Sequence, residues 1–207
     1  MGFDSFYCRI LKPVFGWLIS FIFVLCFFWV YLIIAIAIKV DDPSGSVLFK
    51  QDRLGKDGKI YKMYKFRSMC VGAEHTGSGV YSDNNDTRVT KVGQVLRKTS
   101  LDELPQLFNV LRGEMCLIGF RSPLTYHPWS WDEYTDEQKK MFRVKPGITG
   151  WAQVNGRKTV EWHRRIELNV WYSENVSLML DLKILFKTIV GIIRNSDNEN
   201  VGVTVIK

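Results

Sequence analysis

The chain has 207 residues, of which 46% are hydrophobic and 24% are charged, and its formal net charge is +7. This length limits it to one globular domain plus an accessory segment. Charges cancel within residues 1–45, so the basic remainder favours an anionic partner: nucleic acid, a phosphorylated metabolite or an acidic membrane surface. The absence of a CxxC pair and the scattered histidines argue against zinc and favour reduced thiols: Cys8, Cys26, Cys70, Cys116; His75, His127, His163.

An uncharged apolar segment of 26 residues covers positions 13–38. As a helix it would measure ~39 Å at ~1.5 Å per residue, which exceeds the ~30 Å hydrocarbon core of a bilayer. It is too long for the apolar region of a signal peptide, and no A-x-A cleavage site follows Ile38. We therefore predict a retained, membrane-inserted helical segment over residues 1–42.

The turn Asp42-Pro43-Ser44-Gly45 marks the predicted start of a second domain, residues 43–207. Residues 47–49 and 60–66 are predicted strands, joined into a short hairpin by a turn at residues 55–58. Lysines and arginines surround this hairpin, where a solvated strand face is the simplest explanation for some of them. Residues 72–90 are predicted to form a long loop, and residues 92–97 a short helix.

Two adjacent carboxylates, Asp102 and Glu103, begin an apolar run with helical spacing at residues 101–111. Ser100 with Glu103 three residues later matches a capping box, which would explain both acids as favourable charges at a helix N-terminus. Basic residues on both sides suggest a second interpretation. Carboxylates among arginines suit phosphoryl transfer, where one acid attacks phosphorus and another holds a metal. On this stretch alone both interpretations stay open.

The last third of the chain predicts one irregular stretch and two helices. Residues 145–157 hold three glycines and a proline, which deny a regular helix and free backbone amides that can bind phosphate beside Arg157. Residues 160–172 predict a helix with aromatic and basic faces, suited equally to a lipid interface or to core packing. Residues 178–193 predict an amphipathic helix, in the domain or at the membrane, with three exposed charges: Asp181, Lys183 and Lys187.

Four motifs then identify a family resemblance. They are Gln51-x-Arg53-x-Gly55, Tyr64-Lys65-Phe66-Arg67-Ser68-Met69, Ser100-Leu101-Asp102-Glu103-Leu104-Pro105-Gln106-Leu107-x-Asn109-Val110-Leu111, and Lys145-Pro146-Gly147-Ile148-Thr149-Gly150-Trp151-Ala152-Gln153-Val154-Asn155-Gly156-Arg157. In this order they resemble the bacterial sugar transferases, monotopic phosphoglycosyl transferases that begin glycan assembly on a polyprenyl phosphate. The resemblance covers residues 12–193, and the length resembles the minimal catalytic form of the family.

The resemblance implies a two-step transfer. Asp102 would attack the sugar-bearing phosphorus of a UDP-sugar and release UMP, and the phosphosugar would then pass to undecaprenyl phosphate. Glu103 would hold Mg²⁺, which offsets charge on the diphosphate. The residues expected to bind substrate phosphates are Lys65, Arg67, Arg97, Arg121 and Arg157.

The predicted fold class is α/β (α+β): a mostly helical, small catalytic domain with a short β-hairpin, anchored by the N-terminal membrane-inserted helix. The resemblance implies a re-entrant helix at the bacterial inner membrane, with the catalytic domain facing the cytosol, where UDP-sugars occur. A re-entrant path also keeps Arg9, Lys12 and Lys39 at one anionic surface. Against it, an unbroken helix of this length spans a bilayer unaided.

Two positions depart from the family pattern. Gly119-Phe120-Arg121-Ser122 replaces Gly-Pro-Arg-Pro, so two prolines that stiffen the turn around Arg121 are absent. The family breaks its membrane helix at a Ser-Pro pair, whereas Phe28 and Trp29 occupy those positions here and are expected to offer no polar partner to a bent backbone.

Two other functions compete with the transferase. A membrane-tethered basic module that binds nucleic acid or anionic lipid would explain the +7 charge. It gives no reason for Asp102 and Glu103, which repel phosphates without a metal, so we do not expect nucleic acid as a partner. An inactive structural partner in a glycan assembly complex would explain the altered turn around Arg121. Release of UMP separates the transferase from both.

Overall fold

Helices and two small sheets make up the chain, whose computed structural model describes residues 5–77, 86–156 and 161–194. The mixed, mostly helical fold with small sheets agrees with the predicted class. The predicted division at residues 42 and 43 stays a prediction.

The apolar segment forms two helices instead of one. A π-helical turn, Tyr7–Leu11, leads into α1, Lys12–Cys26, and α2 follows as Phe28–Asp41. By length and composition, the helical stretch Tyr7–Cys26 is sufficient to cross a membrane. At the junction Phe27 leaves helical geometry, with φ −115° and ψ 20°.

The backbone at this junction is hydrogen-bonded although proline is absent from it. The amide of Phe27 donates to the carbonyl of Phe23 at 2.9 Å. The indole Nε1 of Trp29 donates to the carbonyl of Cys26 at 3.2 Å. The expectation that Trp29 offers no polar partner is therefore wrong, because its side chain bonds one of the carbonyls at the break.

The hairpin consists of β1, Leu48–Leu54, and β2, Ile60–Phe66, in antiparallel register from Leu48 opposite Phe66 to Leu54 opposite Ile60. The second strand has the predicted bounds. The first is longer than predicted, because the polar residues after Phe49 keep pairing with β2. Helix α3, Lys91–Thr99, contains the predicted helix and is capped by Thr90, whose Oγ1 accepts from the amide of Gly93 at 3.0 Å.

The second sheet is parallel and very short. It pairs β3, Cys116–Ile118, with β4, Gly147–Thr149. The remaining helices are α4, Gln106–Leu111; α5, Asp136–Lys139; α6, Trp151–Val154; α7, Trp162–Glu174; and α8, Leu178–Arg194. The largest group of buried side chains packs between this sheet and α7 and α8, and includes Phe120, Phe142, Tyr172, Val176 and Ile184.

Both apolar helices pack against the rest of the chain. In α1, Gly16 approaches Leu117, to which a Cβ would lie 3.8 Å away. The indole of Trp17 donates to the carbonyl of Leu111 at 3.2 Å. In α2, Ile34 and Ile38 are buried in a group with two side chains of the hairpin and α3, Phe66 and Leu96. The outer faces of both helices stay exposed and apolar.

Helix α8 differs from its prediction at one residue. Lys183 is exposed, as expected, and Lys187 is partly exposed. Asp181, also expected in solvent, is only 3% exposed. It points toward the start of α1, where long-range partners that helical periodicity does not reveal satisfy its charge.

Candidate active site

The two carboxylates lie on a short 3₁₀ turn, Leu101–Glu103, between α3 and α4. Ser100 ends α3 in the left-handed conformation, with φ 58°, and makes no side-chain capping bond. The predicted capping box is therefore wrong, and the apolar run at residues 101–111 becomes α-helical only at Gln106. The acids are held on a turn and do not occupy the first turn of α4.

A lysine and an arginine approach these acids from two other elements. Nζ of Lys65, on β2, lies 2.8 Å from Oε1 of Glu103 and 3.8 Å from Oδ2 of Asp102. Nη2 of Arg121, which follows β3, lies 3.5 Å from the same Oε1. The side chains of Asp102 and Glu103 are 12% and 19% exposed, so water screens these contacts little.

The two carboxyls respond in opposite directions to this environment. Burial raises the pKa of Asp102, the nearby charge of Lys65 offsets this only in part, and the charge of Glu103 adds to the rise. For Glu103, burial also works to raise the pKa, but Lys65 and Arg121 outweigh it and lower the pKa to about 2. Glu103 is thus fixed as an anion, whereas Asp102 is the more basic carboxylate.

Buried polar contacts fix β2 relative to the helix that follows the acids. Asn109 of α4 is fully buried. Its Oδ1 accepts from the amide of Tyr64 at 3.0 Å, and its Nδ2 donates to the carbonyl of Lys62 at 2.7 Å. Because these two residues precede Lys65 on β2, the side chain of Asn109 ties the strand that carries Lys65 to the helix that follows the turn with Asp102.

The turn around Arg121 is held without the two family prolines. Phe120 is fully buried and packs edge-on against Phe142, with ring centroids 5.1 Å apart. Oγ of Ser122 donates to the carbonyl of Leu54 at 2.6 Å. Gly119 approaches the segment before β4 so closely that a Cβ would lie 2.3 Å from the carbonyl oxygen of Lys145. Packing and hydrogen bonds therefore fix the Arg121 turn.

The sequence model named Bacterial sugar transferase matches residues 7–195 of this chain. The chain belongs to the bacterial sugar transferase family. Among family members, it is 45% identical to an uncharacterized sugar transferase of Bacillus subtilis, EpsL, over 87% of this chain and 86% of that protein.

Two further relatives have names that state a reaction. The chain is 44% identical to the UDP-glucose:undecaprenyl-phosphate glucose-1-phosphate transferase of Escherichia coli, over 75% of this chain and 34% of that protein. It is 42% identical to the UDP-N-acetylgalactosamine-undecaprenyl-phosphate N-acetylgalactosaminephosphotransferase of Aeromonas hydrophila, over 75% of this chain and 37% of that protein. The matched region thus spans about a third of the length of these two relatives.

The other predicted phosphate-binding residues of this sugar transferase fall into three groups. Arg97, at the end of α3, is close enough that its charge partly offsets the rise in the pKa of Asp102. Arg67 is buried, and its guanidinium bonds Oδ2 of Asp42 at 2.6 Å and the carbonyl of Asp42 at 2.5 Å. Arg157 lies outside the described residues. The contacts of Arg67 join α2 to β2, while its predicted role toward phosphate stays a prediction.

Two arginines that we did not predict as site residues lie near Arg121. Burial and the charge of Arg121 lower the pKa of Arg53 to about 10, and they do the same to Arg165. Nη1 of Arg53 donates to the carbonyl of Ser122 at 2.9 Å, and the guanidinium of Arg165 stacks 4.3 Å from the ring of Trp162. The Gln51-x-Arg53-x-Gly55 motif was the signal for Arg53, whereas Arg165 carried none beyond its basic helix face.

The donor set at the turn fits a magnesium ion shared with a substrate. In the described parts of the chain, groups of three or more His, Cys, Asp or Glu side chains that could enclose a metal do not occur. Mg²⁺ requires less, since it is usually held by one or two carboxylates together with substrate phosphates and water. Asp102 and Glu103 supply two carboxylates, and the shortest contact of Lys65 and that of Arg121 both fall on Oε1 of Glu103.

Proposed function

We propose that the protein transfers a sugar 1-phosphate from a UDP-sugar to undecaprenyl phosphate and releases UMP, as the first step in assembling a polysaccharide, O-antigen or glycoprotein glycan. The names of the two reaction-bearing relatives support the class of donor and acceptor. The observation that carries the proposal is the carboxylate pair, in which one acid is neutralised by Lys65 and Arg121 and the other stays basic.

In the first step, an oxygen of the ionised Asp102 attacks the sugar-bearing phosphorus. The bond to the bridging oxygen breaks, UMP leaves with that electron pair, and a phosphosugar ester forms on Asp102. In the second step, a phosphate oxygen of undecaprenyl phosphate attacks the same phosphorus, which frees the carboxylate and leaves the sugar on a lipid diphosphate. A basic carboxylate makes the better nucleophile, so the raised pKa of Asp102 suits the first step.

Lys65 and Arg121 would receive the charge of the diphosphate. Both are donors that already converge on Glu103, and the Arg121 side chain is 39% exposed. Mg²⁺ bound by Glu103 would offset charge on the diphosphate as the leaving group departs. Glu103 would hold the ion, and Lys65 and Arg121, which contact Glu103 in the structure, would bind phosphate oxygens of the substrate.

The membrane part of the proposal is a re-entrant apolar segment with the catalytic domain in the cytosol. Both ends of the segment contact the same domain: Lys12 at its start pairs with Asp181, and Arg67 pairs with Asp42 at its end. A helix that crossed the bilayer would separate these ends by the hydrocarbon thickness.

Helix α8 supplies a second apolar surface for the bilayer. Its outward side chains recur at helical spacing and are all exposed: Leu178, Leu182, Leu185, Ile189 and Ile192. Lys183 and Lys187 flank this face and lie 5.6 and 5.2 Å from the ring of Trp151. An apolar face bordered by lysines and tryptophan suits a helix that lies in the lipid interface.

The experiment is release of UMP from a panel of UDP-sugars by the purified protein in detergent. Sustained UMP release is expected with one or a few sugars and only when undecaprenyl phosphate is present, because without the acceptor the covalent mechanism stops after about one UMP per protein molecule. Absence of UMP with every donor would favour the inactive structural partner. The altered turn around Arg121 no longer supports that alternative, because packing of Phe120 and the Ser122 hydrogen bond fix the turn.

A further inference from the structure

A buried charge network joins the first residue of α1 to α8. Nζ of Lys12 lies 2.8 Å from Oδ2 of Asp181, and the two side chains are 8% and 4% exposed. The hydroxyl of Tyr7 donates to the same Oδ2 at 2.7 Å, and that of Tyr172 donates to Oδ1 at 2.6 Å. Lys12 also donates to the hydroxyl of Tyr172. We call these four residues the N-terminal clamp.

The clamp holds together parts of the chain that are far apart in sequence. Tyr7 contacts Asp181 across 174 positions of the chain, and Tyr172, only 9 positions from Asp181, completes the contact at the other carboxylate oxygen. Both oxygens of the Asp181 carboxylate are hydrogen-bonded, and Lys12 has two partners. The desolvation that such a buried pair requires makes its net contribution to stability small. Removal of one partner, however, leaves an uncompensated buried charge. The pair therefore favours the arrangement of the chain in which Lys12 and Asp181 are in contact.

The position of the clamp connects it to the direction of the apolar segment. Lys12 is the first residue of α1, directly before the uncharged stretch, and the contacts of Asp42 hold the other end of that stretch. The clamp ties the start of α1 to α8, and the helical stretch Tyr7–Cys26 that contains Lys12 is by length and composition sufficient to cross a membrane. Whether the apolar segment returns to the same side of the membrane or crosses it would therefore depend on the ion pair between Lys12 and Asp181.

We propose that Lys12 and Asp181 are positioning residues that keep the N-terminus on the domain's side of the membrane. This inference rests on the proposed re-entrant segment. The competing explanation needs no clamp: Arg9 and Lys12 would stay on the cytosolic side simply because positive charges near an apolar segment favour that side. The two explanations differ for Asp181, which lies outside the N-terminal region that this charge rule counts.

The test is labelling of a single cysteine at Ser5 in intact cells by a membrane-impermeant maleimide. The four native cysteines are replaced, and UMP release by this background confirms that it is folded. With the clamp intact, we expect the maleimide to label the cysteine only after the cells are permeabilised. In Asp181→Asn, the fraction labelled from outside is expected to rise at least roughly threefold, since the clamp's bias toward the returning state is lost.

Asp132→Asn is the matched control. It makes the same chemical change at an exposed residue of the same domain and is expected to leave the cysteine protected. A positive-inside effect acting alone predicts the same protection for Asp181→Asn. Protection in Asp181→Asn would therefore overturn the clamp, while labelling of the wild type from outside would overturn the re-entrant segment on which it rests.

A second variant covers the case in which Asp181→Asn does not accumulate. Tyr7→Phe combined with Tyr172→Phe removes two hydroxyl groups from the clamp and changes no charge. Its labelled fraction is expected to lie above that of the wild type. A purely structural role would lower the amount of protein but leave the surviving molecules protected, and that result would also overturn the proposal.

Discussion

Nζ of Lys65 lies 2.8 Å from the Oε1 oxygen of Glu103, closer than its 3.8 Å distance from Oδ2 of the neighbouring Asp102. This asymmetry separates the roles of two adjacent acids. Glu103 receives Lys65 and Arg121 and is held ionised, whereas burial raises the pKa of Asp102 despite the nearby lysine. Environments that push two carboxyl pKa values apart are a common arrangement when one group reacts and the other supports charge.

Asp102→Asn is expected to abolish UMP release while the protein stays folded. The amide is nearly isosteric with the carboxylate but cannot act as the anionic nucleophile, and loss of a covalent nucleophile costs several orders of magnitude in rate. Asp52→Asn, at an exposed residue of β1, is the control. Mass spectrometry of the wild type with UDP-sugar and no lipid should find a phosphosugar on the Asp102 peptide. A tenth of normal activity in Asp102→Asn would contradict the covalent role.

Glu103→Gln is expected to weaken the response to Mg²⁺ as well as the rate. A neutral amide oxygen is a poorer ligand for a hard cation than a carboxylate, so the half-saturating Mg²⁺ concentration should rise. Titration of UMP release with Mg²⁺ measures this. If the variant's titration overlays that of the wild type, Glu103 is not the metal ligand, and its contacts with Lys65 and Arg121 are structural.

The raised pKa of Asp102 predicts the pH dependence of the first step. Activity requires the ionised carboxylate, so kcat/KM should rise with pH as Asp102 loses its proton, above the ordinary range for an aspartate. Lys65 favours the ionised form, and Lys65→Met therefore raises this pKa further and moves the acidic limb to higher pH. Lys62→Met, at a mostly exposed lysine of the same strand, should leave the limb in place. An acidic limb in Lys65→Met at or below the wild-type position would contradict the assignment.

Restoring the family's first proline is expected to harm this protein. Phe120→Pro deletes a fully buried ring that packs against Phe142, and such a loss in a core costs about 3 kcal/mol or more. The midpoint of thermal unfolding in detergent should fall, with UMP release falling in parallel. Phe120→Leu keeps most of the apolar volume and should lose much less. Equal stability of Phe120→Pro and the wild type would show that the ring does not hold the Arg121 turn.

Local patterns in the sequence predicted the elements whose signals are local. Strand β2 was predicted from alternating apolar and polar residues after the turn at Lys56–Gly58, and α8 was predicted from a long amphipathic pattern. The family motifs predicted the acids and Arg121, and the structure brings these together with Lys65.

The features that sequence reasoning missed depend on distant partners. Asp181 has the spacing of a solvent-facing residue, and only the arrival of Lys12 and two tyrosines makes its burial tolerable. The break at Phe27 occurs without a proline, and the indole of Trp29 bonds the carbonyl of Cys26 there. Ser100 matched a capping box in sequence, yet its left-handed backbone ends one helix instead of starting the next.

Arg67 and Arg121 were predicted to bind phosphate alike, but their contacts predict different mutant behaviour. Arg67 is buried and bonds Asp42 twice, while Arg121 is partly exposed beside Glu103. Arg121→Met should therefore raise KM for the UDP-sugar or lower kcat by about tenfold or more, since a charge-assisted contact to phosphate is lost, with little change in unfolding temperature. Arg67→Met should chiefly lower the unfolding temperature, because it leaves the charge of Asp42 unpaired.

A double-mutant cycle makes the assignment of Arg67 decisive. If Arg67 acts through Asp42, then Asp42→Asn should destabilise the protein less in the Arg67→Met background than alone, because the pair is already broken. A phosphate-binding Arg67 would instead give additive effects on stability and a raised KM in Arg67→Met. Steady-state kinetics and thermal unfolding of the four proteins measure both quantities. A tenfold rise in KM with an unchanged unfolding temperature would return Arg67 to the substrate site.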